Sequence, residues 1–531
     1  MLKSDNRVLI IGIDGATFEI IRPMLREGKL PNIGKLMGDG CHGELESTVP
    51  LLSPVAWTSF STGMHPGNHG IFDFLTRKIN TYEIIPASST SRLIKPVWQV
   101  VSEMDKNVVV LNVPATFPPD DVKGFMIAGE PTPFHDERRI SPKELYGELS
   151  ERFGKDFLYP SRFKSKKSLL NDLIHSVELW TDIARHLLGK VNWDLFIVTF
   201  IASDTVQHYF WKDMDEKHPS YNKNSAGIFK TAIYEVYRRI DKAVGELLSQ
   251  MDDNTNIVIL SDHGFGPLNQ IVFLNEWLRE KGYLVFKEGS RSNYKDSVLN
   301  LMRLVLKKFG LMDNLLPPLG LKGVDWAKTK VYFLGVSDDL FINLKGREPE
   351  GIVNPGGEYE ELLDEVATGL EHMTLPGDLK PIEKVYKSNK LYPDNSHSPD
   401  LLIKCRNGFD LVKEGDPLGA FKGLRRWGEN TWSGTHADKG VLIMKGPCIR
   451  NTSIEGARII DVAPTVYHLL GVPVPAGLDG RVLSETLEDN SLKHLNYSNI
   501  DIRQGKSSDT TYTEDDTKLV AQRLKDLGYL D

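Results

Sequence analysis

The sequence predicts an α/β fold in which a doubly wound, mostly parallel sheet carries helices on both faces. Short apolar runs rich in β-branched residues are continuous rather than alternating, as in strands that are buried on both faces of a parallel sheet. Amphipathic segments with helical spacing separate several of these runs, and the order strand, helix, strand is typical of a doubly wound sheet. The chain has 531 residues, and single cores stop growing near roughly 250–300 residues. We therefore expect large insertions in addition to the sheet.

The predicted elements follow in chain order. The strands are the buried apolar runs Val8–Ile13, Val108–Leu111, Leu195–Phe200, Ile257–Leu260, Leu401–Lys404 and Val441–Met444. A helix is predicted from Lys167 to Leu188, where apolar residues recur every three or four positions and Gly189 follows. Ile228–Met251 has the same spacing. A last helix over Val462–Gly471 is predicted to begin at a capping Asp461.

The core is expected to be discontinuous, with pieces at 1–74, 164–282 and 395–489. A Pro-rich segment, 75–163, is predicted to leave the sheet as a first insertion. A second insertion is predicted over 283–394, with an amphipathic helix near Val298–Phe309 and a turn at Leu316-Pro-Pro318. Residues 490–531 are expected to form a flexible tail that ends in a short helix near Leu519–Leu530.

Composition excludes several classes of protein. A net charge of −8 gives no basic surface for nucleic acid. The cysteines Cys41, Cys405 and Cys448 are far apart, so neither a disulfide framework nor a thiolate zinc site is expected, and a reducing, cytoplasmic location is predicted. The first residues lack the apolar core of a signal peptide, and no run of about 18 apolar residues predicts a membrane-spanning helix.

Acidic residues and histidines border the predicted strands. They are Asp14 after the first strand, Asp204 and His208 after Leu195–Phe200, Asp262 and His263 after Ile257–Leu260, and His436 ahead of the last strand. Each cluster alone is more typical of helix caps, turns or solvated pairs than of a metal site. Together they offer carboxylate and imidazole ligands at the edge where open α/β sheets bind ligands, a set that suits two divalent ions.

The segment from Thr48 to Ile71 is rich in hydroxyl groups and could supply a nucleophile. A hydroxyl activated by a metal ion can attack as an alkoxide near neutral pH. The residues alone do not choose among Ser53, Thr58, Ser59 and Thr62.

Several short motifs occur together in a fixed order. They are Ile13-Asp-Gly15, Leu30-Pro-Asn32, Ser61-Thr-Gly63 with His69-Gly-Ile71, Ser203-Asp204 with His208, Ser261-Asp-His-Gly264 and Gly434-Thr-His436. In this combination the chain resembles the alkaline phosphatase superfamily, and within it the type I phosphodiesterase/nucleotide pyrophosphatase branch and its uncharacterised phosphohydrolase or phosphomutase relatives. The resemblance spans Val8 to about Leu483 and implies an alkaline phosphatase-like core with cap insertions.

The resemblance also implies a site for two divalent metal ions. One ion would be held by Asp204, His208 and His436, and the second by Asp14, Asp262 and His263. The family's nucleophilic threonine falls on Ser53, which would contact the second ion. Zinc is the usual ion of the family, and manganese suits the same ligands.

Two positions depart from the family pattern. Ala56 and Phe74 stand where phosphate-binding asparagines are expected, so another donor is needed for the remaining phosphate oxygen. The candidate donors are Arg77, Lys78, Lys345 and Arg347. The segment Ser53-Pro-Val-Ala-Trp57 also lacks the frame that sulfatases of this superfamily require.

The sequence thus predicts a cytoplasmic dimetal phosphohydrolase, either a phosphodiesterase or a phosphomonoesterase. It would act on a small phosphorylated molecule through a phosphoseryl intermediate, and the insertions would decide which ester enters. Two alternatives stay open: a phosphomutase or phosphotransferase that uses the same site, and a metal-containing binding protein without turnover. The sequence identifies neither the substrate nor the oligomeric state.

Overall fold

The structure is a computed structural model that describes residues 6–78, 80–133, 137–155, 157–158, 165–287, 321, 323–334, 338–392, 398–412, 432–504 and 512–527. The chain forms two compact units, each built from several segments. Unit 1 comprises Met1–Phe74, Ala87–Asn269 and Arg426–Thr511. Unit 2 comprises Leu75–Pro86, Gln270–Arg425 and Tyr512–Asp531.

Strands in the described residues are β1 Arg7–Ile13, β2 Cys41–Glu46, β3 Leu75–Arg77, β4 Ile84–Pro86, β5 Val108–Leu111, β6 Gly124–Ile127, β7 Ile140–Ser141, β8 Leu195–Phe200, β9 Thr255–Leu260, β10 Gly264–Pro267, β11 Gln270–Phe273, β12 Val331–Tyr332, β13 Asp339–Ile342, β14 Ile382–Lys387, β15 Leu401–Cys405, β16 Phe409–Val412, β17 Gly434–Ala437, β18 Lys439–Lys445, β19 Ser453–Arg458, β20 Val474–Pro475 and β21 Tyr497–Ser498.

The α-helices in the same residues are α1 Phe18–Arg26, α2 Pro31–Asp39, α3 Ser53–Thr62, α4 Pro66–His69, α5 Val97–Glu103, α6 Glu144–Phe153, α7 Lys166–Lys190, α8 Ala202–Met214, α9 Lys223–Phe229, α10 Ala232–Leu248, α11 Leu274–Glu280, α12 Gly357–Glu371, α13 Ser388–Leu391, α14 Val462–Leu469, α15 Asp489–Leu492 and α16 Glu514–Leu527. None of these helices combines the length and the apolar character needed to cross a bilayer.

Unit 1 is built around a large mixed sheet. In the described part of the chain the sheet has nine strands in the order β19-β2-β18-β9-β1-β8-β5-β6-β7. The five central strands β9, β1, β8, β5 and β6 run parallel to one another. The predicted fold class, a mostly parallel sheet with helices on both faces, is therefore confirmed.

The last core strand, predicted over Val441–Met444, is present as β18 but runs antiparallel to both of its neighbours. A strand that is buried on both faces gives the same continuous apolar run in either direction, so the sequence pattern does not reveal its orientation.

Both faces of the sheet are buried under helices. Leu9, Ile11 and Ile13 of β1 lie in one hydrophobic core, with apolar residues of α1, α2, α7, α8 and α10. Val8 and Ile10, which point the other way along the same strand, lie in a second core with residues of α3, α5 and α14. This alternation within one fully buried strand explains why the run carries no polar residue.

The predicted helices are present with shifted ends. The first continues through Gly189 to Lys190, so this glycine does not end it. The second is divided into α9 and α10, and Lys230 and Thr231 separate the two helices. The third begins at Val462 after a short 3₁₀ turn over Ile459–Asp461, and Asp461 makes no side-chain cap to it.

The motif Leu30-Pro-Asn32 joins α2 to α10. The Asp241 carboxylate accepts hydrogen bonds from the backbone N–H groups of Asn32 at 3.1 Å and Ile33 at 2.8 Å. The Asn32 side-chain amide donates to the same carboxylate at 3.0 Å. Asp241 thus accepts hydrogen bonds from N–H groups at the start of α2 that have no partner within the helix. Its negative charge also interacts favourably with the positive end of the helix dipole. The motif therefore has a structural role.

The predicted segment boundaries need correction. Of the predicted first insertion, 75–163, only Leu75–Pro86 falls in unit 2, whereas β5, β6 and β7 belong to the large sheet of unit 1. The prolines around Phe117 lie in the connection between β5 and β6 and do not take the chain out of the core.

Unit 2 extends beyond the predicted second insertion, 283–394, on both sides and includes Gln270–Arg425. Its described part contains a four-stranded sheet in the order β12-β13-β15-β14, antiparallel throughout. The run Leu401–Lys404, predicted as a strand of the core sheet, is β15 of this smaller sheet. The expected helix near Val298–Phe309 and the turn at Leu316-Pro-Pro318 lie outside the described residues. The C-terminal helix is present as α16, in unit 2.

Candidate active site

The candidate site lies in unit 1, at the carboxyl ends of three neighbouring parallel strands. Asp14 follows β1, and Asp262 follows β9 on one side of it. Asp204 lies in the first turn of α8, the helix that follows β8 on the other side. Because these strands are adjacent and parallel, the three carboxylates emerge at one edge of the sheet.

Two further elements bring the remaining histidines to this edge. Asp204 and His208 are four residues apart on α8 and therefore lie on one face of the helix, as the spacing predicts. β10 continues directly from His263 and pairs antiparallel with β17, which carries His436. Gly15 makes the turn after Asp14 with φ of 65°, a conformation that glycine adopts without steric cost.

One ligand group consists of Asp204, His208 and His436. Asp204 Oδ1 lies 3.3 Å from His208 Nε2 and 3.4 Å from His436 Nε2. The two histidine Nε2 atoms are 3.1 Å apart. His208 Nδ1 lies 2.8 Å from the carbonyl oxygen of Gly434, which leaves Nε2 for the shared centre.

The second group consists of Asp14, Asp262 and His263. His263 Nε2 lies 3.2 Å from Asp262 Oδ2 and 3.7 Å from Asp14 Oδ1. His263 also lies close to the first group, since its ring centroid is 3.8 Å from that of His436. The two groups are therefore contiguous, and the sets Asp14, Asp262, His263 and Asp204, His263, His436 both have the spacing of metal ligands.

Ser53 is the first residue of α3 and faces the second group. Its Oγ lies 3.1 Å from His263 Nε2 and 3.5 Å from Asp14 Oδ1. The other candidate hydroxyls have partners elsewhere. Thr58 and Thr62 donate to backbone carbonyls within α3, and Ser59 Oγ lies 2.8 Å from His69 Nε2.

Burial perturbs the titration of the three carboxylates. Desolvation, with the charges of Asp262 and Asp204, raises the pKa of Asp14 well above its ordinary value. Desolvation also raises the pKa of Asp262 to about 7. Burial acts in the same direction on Asp204, but the positive charges of His208 and His436 outweigh it and lower the pKa of Asp204.

The histidines respond in opposite directions. Burial and the charge of His436 lower the pKa of His263 well below its ordinary value, which favours the neutral ligand form. Burial disfavours the charged form of His436 as well, but its hydrogen bond to Asp204 raises the pKa of His436 overall.

These groups fit two divalent cations. The set contains only carboxylate oxygens and imidazole nitrogens, the ligands that zinc and manganese accept. Asp262 Oδ2 is buried and makes no hydrogen bond. Within the described residues, the ion pairs of Asp14 and Asp262 are with histidine, not with lysine or arginine. Crowded buried carboxylates of this kind are costly unless a cation neutralises them.

Several supporting residues were not predicted from the sequence. Ser203 Oγ donates to the Asp14 carbonyl at 2.7 Å, and Gln207 Nε2 donates to the Gly15 carbonyl at 2.8 Å. Trp57 Nε1 donates to Asp14 Oδ2 at 2.9 Å. Trp432 stacks on the His208 ring with centroids 3.6 Å apart. The spacing of these residues could have indicated their roles. Trp57 is four residues after Ser53, and Ser203 and Gln207 directly precede Asp204 and His208.

The basic residues suggested as phosphate donors have partners within unit 2. Arg77 pairs with Glu348, and Arg347 pairs with Asp400 at 2.6 Å. Lys78 lies 3.3 Å from Glu83, and Lys345 donates to Asn354 at 2.8 Å. These contacts give each of them a local structural role.

Comparison with known proteins places the chain in a family. The family described as type I phosphodiesterase / nucleotide pyrophosphatase matches residues 8–436. The chain belongs to this family. Membership in the type I phosphodiesterase / nucleotide pyrophosphatase family supports a phosphoester hydrolase and confirms the resemblance inferred from the motifs. No curated protein sequence matches the chain.

Two solved structures share the fold of the present chain, which is itself a member of the type I phosphodiesterase / nucleotide pyrophosphatase family. Human ectonucleotide pyrophosphatase / phosphodiesterase 5 is 13% identical, with a TM-score of 0.50. An inactive variant of the murine protein, in complex with AMP, is 12% identical, also with a TM-score of 0.50. Each match covers 91% of this chain and 100% of that chain. At this identity the likeness establishes the fold alone.

Proposed function

We propose that the protein is a dimetal phosphohydrolase, a phosphodiesterase or phosphomonoesterase acting on a small phosphorylated molecule, with Ser53 as the nucleophile. One observation carries the proposal: three carboxylates and three histidines from distant parts of the chain form two contiguous groups, and the Ser53 hydroxyl faces one of them, at 3.1 Å from His263 and 3.5 Å from Asp14. Family membership supports the same class of reaction.

In this proposal Asp204, His208 and His436 hold one divalent cation, and Asp14, Asp262 and His263 hold the other. The bound cations would supply Lewis acidity and offset the negative charge of the phosphoryl group. Zinc is the proposed ion, and manganese is the alternative because both accept this ligand set.

Ser53 performs the covalent step. Its hydroxyl proton is released, Oγ forms a bond to phosphorus, and the ester P–O bond on the opposite side breaks. The leaving oxygen takes up a proton and departs as an alcohol. Water then attacks the phosphoseryl phosphorus, the Oγ–P bond breaks, and Ser53 recovers its proton. Each displacement inverts the configuration at phosphorus, so the overall reaction retains it.

The position of Ser53 suits this role. It is the first residue of the ten-residue helix α3, and the positive end of a helix dipole favours negative charge by about 0.3–1 kcal/mol. Ser53 is also buried, which keeps bulk water from the nucleophile until substrate binds.

The cellular location is part of the proposal. The thiols of Cys41, Cys405 and Cys448 are separate from one another, which supports the cytoplasm or another reducing compartment.

The test combines metal analysis with turnover of aryl phosphomonoesters and phosphodiesters. We expect purified protein to contain two transition-metal ions per chain, and Ser53→Ala to reduce kcat at least about 10³-fold. Ser61→Ala is the matched control, because Ser61 is a buried serine of the same helix whose hydroxyl donates to the Thr58 carbonyl. A protein that binds no transition metal, or full turnover by Ser53→Ala, contradicts the proposal.

Product analysis separates hydrolysis from the alternatives. Phosphorus NMR should show inorganic phosphate from a monoester, or a monoester from a diester. An isomerised ester would instead identify a phosphomutase, and tight ester binding without turnover in zinc and in manganese would identify a binding protein.

A further inference from the structure

Trp57 stands in the segment Ser53-Pro-Val-Ala-Trp57, at a position to which the sequence pattern assigns no function. Its side chain is completely buried in unit 1. The indole Nε1–H donates to Asp14 Oδ2 at 2.9 Å. The other oxygen of the same carboxylate, Oδ1, lies 3.5 Å from Ser53 Oγ and 3.7 Å from His263 Nε2. The indole thus engages the carboxylate oxygen other than the one that lies nearest to Ser53 and His263.

The backbone of Asp14 is held independently of Trp57. Ser203 Oγ donates to the Asp14 carbonyl at 2.7 Å, and Gln207 Nε2 donates to the Gly15 carbonyl at 2.8 Å. The Gly15 N–H donates to Asp262 Oδ1 at 3.1 Å. These contacts fix the main chain but leave rotation about the Asp14 side-chain bonds, and the indole N–H restrains the orientation of the carboxylate.

The indole itself is fixed by close packing. A Cβ placed on Gly12 would lie 2.5 Å from Trp57 Cη2, so the ring occupies space that only glycine leaves open on β1. The ring of Phe60 packs edge-on against it, with centroids 5.6 Å apart. A buried ring confined in this way has one orientation in which to present its N–H group.

Helix α3 links this contact to the nucleophile. Ser53 and Trp57 are four residues apart and lie on one face of the helix. Both side chains contact Asp14, one at each carboxylate oxygen. An indole N–H is a donor that does not titrate and carries no charge, so it can orient the carboxylate without competing with the cation for it, as a protonated base would.

We propose that Trp57 is a positioning residue for the metal ligand Asp14: its indole N–H holds Oδ2 so that Oδ1 is presented toward Ser53 and the cation held by Asp14, Asp262 and His263. This inference rests on the proposed function, because it assigns a role toward a cation of that site. Groups that orient metal ligands in this way commonly change metal affinity by about 10–100-fold when removed.

The chain offers a matched control in Trp98. It is also a completely buried tryptophan of unit 1, and its Nε1–H donates to a buried aspartate, Asp120 Oδ2, at 2.8 Å. Asp120 belongs to neither ligand group. Trp57→Phe and Trp98→Phe therefore remove the same kind of hydrogen bond at the same burial, and only one of the bonds leads to the candidate metal site.

The experiment titrates zinc into metal-free protein in competition with a chromophoric chelator. We expect the wild type to bind two ions. Trp57→Phe should bind one ion about 10–100-fold more weakly and the other within twofold of the wild-type affinity. Trp98→Phe should bind both ions as the wild type does. Thermal unfolding of the metal-free proteins reports any loss of fold, which we expect to be similar in the two variants.

A second variant keeps the test valid if phenylalanine does not fill the site. Replacement of Trp57 by 3-benzothienylalanine puts sulfur in the place of the N–H group and preserves the shape of the ring. It should weaken the same ion by a similar factor with little change in thermal stability.

The outcomes separate this inference from the proposed function. Wild-type affinity for both ions in the two Trp57 variants, or equal weakening in Trp98→Phe, would overturn the role of Trp57 and leave the dimetal proposal intact. A wild-type protein that binds no zinc and no manganese would overturn both.

Discussion

Among single residues, His69 illustrates how unit 1 keeps a buried imidazole neutral. Its Nδ1 accepts a hydrogen bond from the Ile71 N–H at 3.1 Å, so Nε2 carries the proton and donates to Ser59 Oγ at 2.8 Å. Burial, aided by the charges of His65 and Arg92, lowers the pKa of His69 to about 3. Protonation would break the bond to Ile71 and place a charge in the core.

This pKa shift predicts acid sensitivity. Between about pH 3 and 6.5 the unfolded chain binds a proton at His69 that the folded protein does not, so stability falls as the pH drops below about 6.5. The loss should reach roughly 2 kcal/mol by pH 5. His69→Gln should be less stable than the wild type at pH 8 but should lose less of its free energy of unfolding at pH 5. Equal pH slopes in urea unfolding would contradict the assignment.

A second residue-scale prediction concerns Asp262. In metal-free protein this carboxylate is buried beside the charges of Asp14 and Asp204, which destabilises the fold. Asp262→Asn removes one charge and retains an oxygen for the Gly15 N–H. In the presence of a chelator we expect the free energy of unfolding to rise by about 1–2 kcal/mol. When zinc is supplied in place of the chelator, Asp262→Asn should bind it more weakly than the wild type does. A less stable metal-free variant would show that charge crowding does not destabilise this site.

At the residue scale, the side chains that the sequence proposes as ligands lie close together in the structure. The three carboxylates and three histidines were found because they follow or border strands whose apolar runs are easy to detect, whereas Ser53, at the start of α3, was assigned through the family resemblance. Trp57 and Trp432 were missed, since an indole in an apolar context has the same pattern whether it only packs or also donates a hydrogen bond. Their roles depend on Asp14 and His208, which are remote in sequence.

At the scale of elements, the contact between α2 and α10 makes a direct prediction. Asp241 accepts two backbone N–H groups at the start of α2, and its removal leaves those donors without a charged acceptor. Asp241→Ala should lower the free energy of unfolding by about 2–3 kcal/mol. Asp182→Ala, which removes an exposed partner of Arg185 at 3.6 Å, is the control and should cost less than about 0.5 kcal/mol. Denaturant unfolding measures both, and equal effects would contradict the proposed anchoring.

Elements were predicted most accurately where burial is complete. Val108–Leu111 and Leu195–Phe200 match the structure at both ends. The direction of a strand and the sheet to which it belongs were harder to predict from the sequence. The strand at Val441–Met444 runs antiparallel to both of its neighbours, and Leu401–Lys404 belongs to the smaller sheet of unit 2. The break at Lys230 and Thr231 was missed because apolar spacing continues across both helices. These features depend on tertiary pairing, to which local periodicity is insensitive.

For the whole molecule, the ligand set predicts that metal binding stabilises the fold. The six proposed ligands come from segments near residues 14, 204, 262 and 436, which the unfolded chain does not hold together. At a free zinc concentration 100 times the dissociation constant of a site, each ion that binds to the native state alone adds about 2.7 kcal/mol. Thermal unfolding should therefore show a higher Tm with zinc than with a chelator. A Tm that does not depend on metal, in protein shown to bind it, would contradict this expectation.

A control for that experiment is the double variant His208→Ala and His436→Ala, which removes two ligands of one ion. Its increase in Tm with zinc should be smaller than that of the wild type. In the wild type, zinc should slow hydrogen exchange of the backbone amides at the carboxyl ends of β1, β8 and β9, because those ends carry Asp14, Asp204 and Asp262.

The division of the whole chain was the least predictable property. Looser sequence patterning predicted segments outside the large sheet, and the four-stranded sheet of unit 2 is a separate sheet. The patterning placed 87–163 on the wrong side of the boundary, because a Pro-rich connection inside a domain has the same composition as one that leaves it. The motifs identified the family, whereas the substrate depends on residues that have no common pattern.

The pairing of β1 has a consequence for synthesis in the cell. Val8 pairs with Leu195 on one side and with Asn256 on the other. At about 5–20 residues per second, the ribosome needs roughly 10–40 s after making β1 to produce its first neighbour. During that time an apolar strand has no partner, and the site lacks His436 until later still. We therefore expect the nascent chain to depend on chaperones and to bind the proposed metal ions only after translation of the core is complete.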